Sequence, residues 1–334
     1  MAYLASEKRY ETMEYRRCGN SGLKLPLLSL GLWHNFGEIT AEQKKKEVLH
    51  AAFDCGITYF DLADNYGPPY GSAETSFGKI FKEDFAPYRD ELIISTKAGY
   101  DMWPGPYGNF GSRKHLLAGI DGSLKRMRLD YVDIFYHHRP DPETPMEETA
   151  DALEQIVRQG KAIYIGLSNY KAKETEKMTA LLKERRVPFV IHQPSYSMLN
   201  RWIEEDGLDK VLVKEGIGSV VFKPLEQGLL TGKYLKGIPE DSRISKDSRF
   251  LKKDVLTPQL LEKIQALSVI AEERGQSLAQ MALAWALKNP CVTSVLIGAS
   301  RPEQIYENVG AIKNLAFSEE ENAKIEKILQ EGSN

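Results

Sequence analysis

Short apolar runs alternate with longer amphipathic stretches along almost the whole chain, and this alternation limits the possible folds more than any other feature. The apolar runs are rich in β-branched residues, which predicts strands. Strands separated by helical segments form a parallel sheet with crossover helices. The eight predicted strands are Leu25–Leu32, Ile57–Leu62, Glu91–Lys97, Val132–His138, Ala162–Ser168, Phe189–Gln193, Ile217–Lys223 and Ser294–Ala299.

Eight strands are the number that closes a (β/α)8 barrel, and 334 residues suit such a barrel with insertions. The alternative is an open, doubly wound sheet, which usually carries G-x-G-x-x-G after its first strand. The first run here ends in Gly31-Leu-Trp-His-Asn-Phe-Gly37, which does not match. We therefore predict an α/β fold: one (β/α)8 TIM barrel domain over residues 1–334, with long rim loops and no Rossmann domain. The stretch from Gly228 to Thr257 is predicted to be a long functional loop.

Four of the amphipathic stretches begin with a pattern typical of a capping box, in which side chains bind the free amides of the first helical turn. Pro145 is also expected at a first helical position, where its missing N–H costs nothing. The four patterns are Thr40–Gln43, Thr144–Glu147, Ser277–Gln280 and Ser318–Glu321.

Charge and composition exclude several classes of protein. The net charge of −3 gives no positive field that would attract nucleic acid or an acidic membrane. The sequence contains no apolar signal-like run and no stretch near the roughly 20 apolar residues of a membrane span. Cys18, Cys55 and Cys291 lie far apart, which argues against a disulfide framework or a zinc site. We expect a cytoplasmic protein with no metal, nucleic-acid or membrane partner.

Polar residues stand at the ends of the predicted strands, where the active sites of (β/α)8 barrels lie. Side chains two residues apart share a face of a strand. By this rule Asp61, Lys97 and His138 each end a row on one face, whereas His137 points the other way. The strand-end residues are Asp61, Lys97, His138, Ser168, Asn169, Gln193, Phe222 and Ser300.

These residue types suit the reduction of a carbonyl group, with Tyr66 as the acid that delivers a proton to the oxygen. A tyrosine with a pKa of about 10 is a poor donor near neutrality, and a nearby ammonium lowers that pKa. We expect Lys97 to act in this way, Asp61 to keep Lys97 charged, and His138 to orient the substrate oxygen. The hydride must come from a cofactor, because no side chain supplies one.

Several segments together resemble the aldo-keto reductase superfamily over roughly residues 15–329. The family is a (β/α)8 barrel that binds NADPH without a Rossmann domain, and its catalytic tetrad corresponds to Asp61, Tyr66, Lys97 and His138. The matching segments are Phe60–Gly67, Ser95–Lys97, Asp133–Asp141, Gly166–Asn169, Pro224–Lys233 and Ile297–Gln304, with Glu307 and Asn308.

The same resemblance implies where NADPH (NADP+) would be held. Ser168, Asn169 and Gln193 would hold the nicotinamide carboxamide, and Phe222 would stack on the ring. The 2′-phosphate would meet Ser300, Arg301 and Gln304. The other implied cofactor residues are Gly31, Leu32 and Trp33 near the nicotinamide, Leu225, Gln227, Gly228, Leu229, Lys233 and Arg243 along the pyrophosphate, Glu307 and Asn308 on the adenine side, and Asp61, Lys223, Pro224 and Gly298, whose subsites are not assigned.

Within the superfamily, the segments Gly31–Gly37, Tyr66–Glu74 and Lys97–Gly108 resemble a branch that reduces L-glyceraldehyde 3-phosphate and lies near the potassium channel beta subunits. The resemblance implies a small carbonyl substrate, such as that phosphate ester or methylglyoxal. A nucleotide-binding regulatory subunit remains the alternative, and a homo-oligomer remains open. The implied substrate contacts are Trp33, Tyr66, Trp103, His138 and Arg139, with Tyr100, Tyr107 and Arg201 as further candidates.

Overall fold

Eight parallel strands close into a barrel in this computed structural model, which describes residues 3–235, 237–238 and 253–330. Each barrel strand pairs with its neighbours in chain order, and the last strand returns to pair with the first. The predicted (β/α)8 barrel is confirmed. The barrel strands are β3 (Leu28–Gly31), β4 (Tyr59–Asp61), β5 (Ile93–Ala98), β6 (Val132–His137), β7 (Ala162–Ser168), β8 (Phe189–Gln193), β9 (Gly218–Val221) and β10 (Val292–Ile297).

The first predicted strand, Leu25–Leu32, is in fact two strands. Its first part, β2 (Lys24–Pro26), pairs antiparallel with β1 (Tyr15–Arg17), and only the second part enters the barrel as β3. Leu23 and Leu25 pack against the side chains inside the barrel, so this hairpin covers the amino-terminal end of the barrel. The run was predicted as one strand because it is apolar almost throughout. Its first half is apolar because it covers the end of the barrel, and its second half because it belongs to the barrel wall.

The other predicted strands were correct in place but generally longer than the observed ladders. Glu91 belongs to a 3-10 turn, Ala86–Glu91, and not to β5. Lys223 has a φ of 57°, a left-handed conformation that cannot continue β9. The last strand begins two residues earlier than predicted, at Val292.

Helices follow the strands and form the outer layer. A Ser277 capping box begins α9, as predicted, and Ser318 and Glu321 exchange the expected pair of hydrogen bonds. Among the residues described, no helix is long and apolar enough to cross a membrane. The α-helices are α1 (Glu42–Asp54), α2 (Ser72–Ile80), α3 (Arg113–Met127), α4 (Met146–Arg158), α5 (Ala172–Glu184), α6 (Trp202–Asp206), α7 (Leu208–Glu215), α8 (Pro258–Glu273), α9 (Leu278–Leu287), α10 (Pro302–Val309) and α11 (Glu319–Gln330).

The two capping boxes predicted at Thr40 and Thr144 are wrong. The first residue before α1 is Ala41 and that before α4 is Pro145, and neither helix has a side-chain cap. At α4 the Asp141 carboxylate already accepts the backbone N–H of Thr144 at 3.1 Å, so the turn is held by a residue upstream. Pro145 therefore stands just outside the helix and not at its first position.

A polar pair of aromatic rings fills the barrel below the strand ends. The hydroxyls of Tyr59 and Tyr136 are 2.8 Å apart, and both rings are fully buried. Gly166 makes room for this packing, because a Cβ there would lie 2.3 Å from carbons of the Tyr136 ring. These side chains fill the interior of the barrel, so a ligand site has room only beyond the carboxyl ends of the strands.

Candidate active site

A buried ion pair lies at the carboxyl end of β4 and β5. The Lys97 ammonium is 2.5 Å from the Asp61 carboxylate, and neither side chain is exposed. Lys97 also donates to the Leu62 carbonyl at 2.7 Å. Asp61 accepts further hydrogen bonds from Ser95 at 2.7 Å and from the Gln193 amide at 2.9 Å. A buried pair with these additional donors is held in one geometry.

Tyr66 reaches the same ammonium from the loop between β4 and α2. Its hydroxyl is 3.3 Å from the Lys97 nitrogen, which is also 4.9 Å from the centre of its ring. The backbone of Tyr66 donates to Ala63 and accepts from Ala73, which fixes the loop against the start of α2. The ammonium therefore lies between a carboxylate and a phenol.

The acidity of Tyr66 differs from the expectation. Burial first, and then the Asp61 carboxylate, raise the pKa of Tyr66 well above 10, whereas Lys97 was expected to lower it. Burial is the larger cause, and the Asp61 carboxylate also offsets the charge of the ammonium beside the phenol. Burial likewise lowers the pKa of Lys97, and Asp61 opposes that shift. At neutral pH, Tyr66 keeps its proton.

His138 lies immediately after β6 on the same edge of the barrel. Its backbone N–H donates to Ala98, and its ring meets the Tyr100 ring edge-on at 4.6 Å and the Tyr66 ring at 6.0 Å. Burial first, then the Lys97 charge, lower the pKa of His138 well below 6.5, so the imidazole is neutral. No residue of the described parts bonds to its Nδ1.

His137 points the other way, as strand alternation predicted. Its Nδ1 is 2.6 Å from the Tyr170 hydroxyl in the layer between barrel and helices. Burial lowers the pKa of His137 to about 3, so it is a neutral packing residue.

Three further polar residues predicted at the strand ends lie beside the tetrad. The Ser168 hydroxyl donates to the Gln193 carbonyl at 2.8 Å. Asn169 has a φ of 60°, and its amide donates to the His138 carbonyl at 3.0 Å. Because the Gln193 amide already bonds Asp61, these side chains support the tetrad as well as facing the mouth of the barrel.

The loop after β9 bends sharply. Phe222 is half-buried and is bridged to Ser195, and exposed Lys223 carries its ammonium 5.7 Å from the Phe222 ring. Pro224 and Leu225 lead into consecutive left-handed residues at Glu226 (φ 42°), Gln227 (φ 55°) and Gly228 (φ 99°). The Glu226 and Gly228 N–H groups donate to the Lys223 and Leu225 carbonyls at 2.9 Å, so the turn is held by its own backbone hydrogen bonds. A positive charge that could attract an anion here comes from the Lys233 ammonium.

Lys233 returns to this turn, since a Cβ on Gly228 would lie 2.6 Å from its ammonium. Leu229 is buried beneath the turn. Glu226, which the sequence analysis did not single out, accepts a hydrogen bond from Ser197 at 2.9 Å, and burial raises its pKa. Arg243, expected to contribute charge here, lies outside the described residues.

The end of β10 offers a second anion-binding feature. Arg301 is exposed and immediately precedes α10, with its guanidinium 3.8 Å from Glu303. Gln304 accepts from the Ser300 backbone and hydroxyl, at 2.8 and 3.2 Å. Gly298 and Glu307 are exposed, whereas Asn308 is buried. A helix amino terminus beside an exposed arginine favours a phosphate.

The first barrel strand supplies the opposite side of the mouth. Gly31 pairs with Asp61, and Leu32 donates its backbone N–H to the Asp61 carbonyl. Trp33 stands next, with its ring 6.3 Å from that of Tyr66. The aromatic Phe222, the left-handed turn and the α10 terminus thus share one edge with the tetrad, and these features fit an extended dinucleotide.

The loop after β5 contains three of the aromatic residues expected to contact the substrate. Trp103 and Tyr107 are exposed, and Tyr100 packs against His138. Arg139 holds this rim: it donates to Gly99 at 2.9 Å and to Asn109 at 2.6 Å, and lies 4.2 Å above the Tyr100 ring. Arg139, which was expected to contact the substrate, therefore also holds the loop after β5 in place.

Arg201 is less suited to its expected role. Its guanidinium is bonded to Glu204 at 2.5 Å and to Glu326 at 2.6 Å, and it lies near the Trp285 ring. Two carboxylates neutralise its charge, which disfavours binding of a substrate phosphate. Within the described residues, no group of three or more His, Cys, Asp or Glu side chains could hold a metal ion.

Comparison with known proteins agrees with this geometry. The model of the Aldo/keto reductase family matches residues 27–330. The chain belongs to the aldo/keto reductase family. It is 59% identical over 335 residues to the L-glyceraldehyde 3-phosphate reductase of Escherichia coli O157:H7, covering 99% of this chain and 97% of the relative. The reductase of the same name from strain K12 is 58% identical over the same coverage.

A second group of relatives carries a different name. A probable voltage-gated potassium channel subunit beta of Arabidopsis thaliana is 40% identical over 305 residues, covering 90% of this chain and 91% of the relative. Family membership and the reductase relatives support an oxidoreductase that reduces carbonyl groups.

Proposed function

We propose that this protein reduces small aldehydes or ketones to alcohols with NADPH. The observation that carries the proposal is the position of the Lys97 ammonium, 2.5 Å from the Asp61 carboxylate and 3.3 Å from the Tyr66 hydroxyl. A phenol beside a fixed ammonium can release a proton into a substrate and leave a stabilised phenolate.

In this mechanism, Tyr66 donates its proton to the carbonyl oxygen of the substrate. Lys97 stabilises the phenolate that remains, and Asp61 fixes Lys97 in place. Neutral His138 binds the same oxygen and orients it. The raised pKa of Tyr66 keeps the proton in place until the substrate arrives. NADPH supplies the hydride when bound.

The residues that would hold NADPH follow the barrel edge from β3 to α10. Ser168, Asn169 and Gln193 suit the carboxamide, and Phe222 suits stacking on the ring. The left-handed turn with Lys233 suits the pyrophosphate, and Arg301 suits the 2′-phosphate. The remaining members of this set are Gly31, Leu32, Trp33, Asp61, Lys223, Pro224, Leu225, Gln227, Gly228, Leu229, Arg243, Gly298, Ser300, Gln304, Glu307 and Asn308.

The preference for NADPH can be tested at Arg301. We expect Arg301→Ala to weaken NADPH more than NADH, because only NADPH carries the 2′-phosphate that a guanidinium would bind. Binding of each nucleotide is measured by quenching of tryptophan fluorescence, with Arg186→Ala, an exposed arginine after α5, as the control. Equal losses for the two nucleotides would remove Arg301 from this role.

We propose L-glyceraldehyde 3-phosphate as a substrate, supported by the names of the reductase relatives. Methylglyoxal, a smaller three-carbon aldehyde without a phosphate group, is a second candidate. Trp33, Trp103 and Arg139 are the proposed substrate contacts, in addition to Tyr66 and His138. We also propose a cytoplasmic location, supported by three cysteines of which none forms a disulfide.

A substrate panel tests the proposal. NADPH oxidation is followed with L- and D-glyceraldehyde 3-phosphate, methylglyoxal and an aromatic aldehyde. We expect turnover with the small aldehydes and the highest kcat/KM for the L-phosphate. A higher kcat/KM for methylglyoxal would leave the reductase activity standing but would contradict L-glyceraldehyde 3-phosphate as the preferred substrate. If no aldehyde is turned over, the proposal that the protein is a carbonyl reductase is overturned.

A regulatory subunit that binds a nucleotide is the second candidate, supported by the relatives named as potassium channel beta subunits. The same panel separates the two functions. Nucleotide binding without turnover would favour the regulatory subunit, whereas turnover favours the enzyme.

A further inference from the structure

A second carboxylate lies in the loop that carries Tyr66. Asp64 is fully buried two residues before Tyr66, and its backbone N–H donates to the Lys97 carbonyl at 2.9 Å. Neither of its carboxylate oxygens is hydrogen-bonded to any group in the described parts of the chain. The N–H of Asn65 lies close enough to favour the ionised form but not in hydrogen-bonding geometry. This contrasts with Asp61, three residues earlier, whose carboxylate accepts from four side chains.

The charged groups around Asp64 come from three elements. Glu74 of α2 is buried and is itself satisfied, by Thr96 at 2.5 Å and by Arg126 of α3 at 2.7 Å. Lys97 of β5 is bound to Asp61. The two cations near Asp64 are therefore taken by other carboxylates, and the ionised Glu74 repels a second negative charge.

A buried carboxylate without partners is far less stable than the neutral acid, because ionisation would place a bare charge in a low-dielectric interior. Burial, followed by Glu74, accordingly raises the pKa of Asp64 well above 3.8. An ionised Asp64 would in turn raise the pKa of Tyr66 further, in addition to burial, Asp61 and Tyr100. The charge on Asp64 therefore affects how well Tyr66 can release its proton.

We propose that Asp64 is a positioning residue kept as a neutral acid behind the Tyr66 loop, and that its ionisation at alkaline pH weakens Tyr66 as a proton donor. Neutral Asp64 leaves the field of Lys97 available to the Tyr66 phenolate. Ionised Asp64 opposes it, and proton transfer slows. The kinetic part rests on the proposed function, whereas the protonation state does not.

Asp64→Asn tests the protonation state directly, because asparagine has the shape of the neutral acid and cannot ionise. The infrared spectrum of the wild-type protein at pH 7, without nucleotide or substrate, should contain the carbonyl band of an un-ionised carboxylic acid. That band should be missing from Asp64→Asn. If the difference spectrum shows loss of an ionised carboxylate band, the proposal is overturned whatever the activity.

The kinetic test is the pH profile of kcat with a small aldehyde. We expect wild-type kcat to fall at alkaline pH in a step that Asp64→Asn lacks. Asp133→Asn is the matched control, because Asp133 is also buried but is bound by Arg89 at 2.9 Å, away from Tyr66. The control should keep the wild-type shape of the profile. Identical profiles for Asp64→Asn and the wild type would refute the coupling to Tyr66.

The pH dependence of the free energy of unfolding is a third test, and it does not depend on enzyme activity. An acid with a raised pKa in the folded state loses stability as pH rises toward that value. Asp64→Asn should therefore become more stable relative to the wild type as pH rises from 4 to 8. A relative stability that falls over this range would mean that Asp64 is ionised and stabilising, which would overturn the proposal.

Discussion

Replacing Lys97 with methionine breaks the buried ion pair while keeping most of the side-chain volume. Removing one partner of a buried pair costs about 3–5 kcal/mol, because the other charge is left in a medium that cannot solvate it. Asp61 keeps its hydrogen bonds from Ser95 and Gln193, so we expect the lower end of this range. An unfolding entropy near 2.1 cal/mol/K per residue then predicts a melting temperature lower by about 4 °C.

The assay is denaturant unfolding at pH 7, followed by tryptophan fluorescence. Lys79→Met is the matched control, because its ammonium pairs with Glu42 at 2.6 Å with both side chains nearly half exposed. Such a surface pair is worth about 0–1 kcal/mol. Adding Asp61→Asn to Lys97→Met should recover part of the lost stability, since the uncompensated carboxylate is then gone.

Two outcomes would refute this reasoning. One is a loss for Lys97→Met no larger than for Lys79→Met, which would mean that the pair is solvated. The other is a double variant less stable than Lys97→Met by the full cost of Asp61→Asn alone. In that case the two charges would act independently.

Two further perturbations follow from the packing. Burial lowers the pKa of His137 and of His192 to about 3 and that of His138 well below its usual 6.5, so acid must unfold the chain to charge them. The free energy of unfolding should fall below pH 6.5 by about 1.4 kcal/mol per pH unit for each histidine, and His192→Phe should reduce the slope by about that amount. An unchanged slope in urea titrations would contradict it. Gly166→Ala should cost about 1–3 kcal/mol, because its Cβ would overlap the Tyr136 ring; a melting temperature equal to the wild type would show that the barrel repacks freely.

The fold could be predicted from the sequence because every barrel strand is both apolar and followed by an amphipathic segment. The boundary of the first predicted strand is wrong because its residues are buried in two different places. Residues 25–30 are all buried, but β2 covers the end of the barrel and β3 belongs to it. The start of α4 was misplaced because Asp141 accepts the N–H groups of Glu143 and Thr144 in the preceding turn, and the helix begins only after Pro145.

Strand alternation brought Asp61, Lys97 and His138 to one edge, and the structure has them there. What alternation could not give is the balance of charges. The pKa of Tyr66 depends on how much of the Lys97 field Asp61 cancels, which is a matter of distances. The ion pair between Arg201 and Glu326 could not be predicted for a similar reason, since Glu326 lies far along the chain. Asp64 lies within the segment Phe60–Gly67, but only the three-dimensional structure shows that its carboxylate has no hydrogen-bond partner in the described residues.

The central claim, that Tyr66 is the proton donor of a carbonyl reductase, is tested most directly by Tyr66→Phe. NADPH binding and NADPH oxidation with L-glyceraldehyde 3-phosphate are measured on the same preparation. Phenylalanine keeps the ring against Lys97 but has no proton to give, so we expect turnover to be abolished while NADPH binds with nearly wild-type affinity. Turnover at the wild-type rate in Tyr66→Phe would contradict the account.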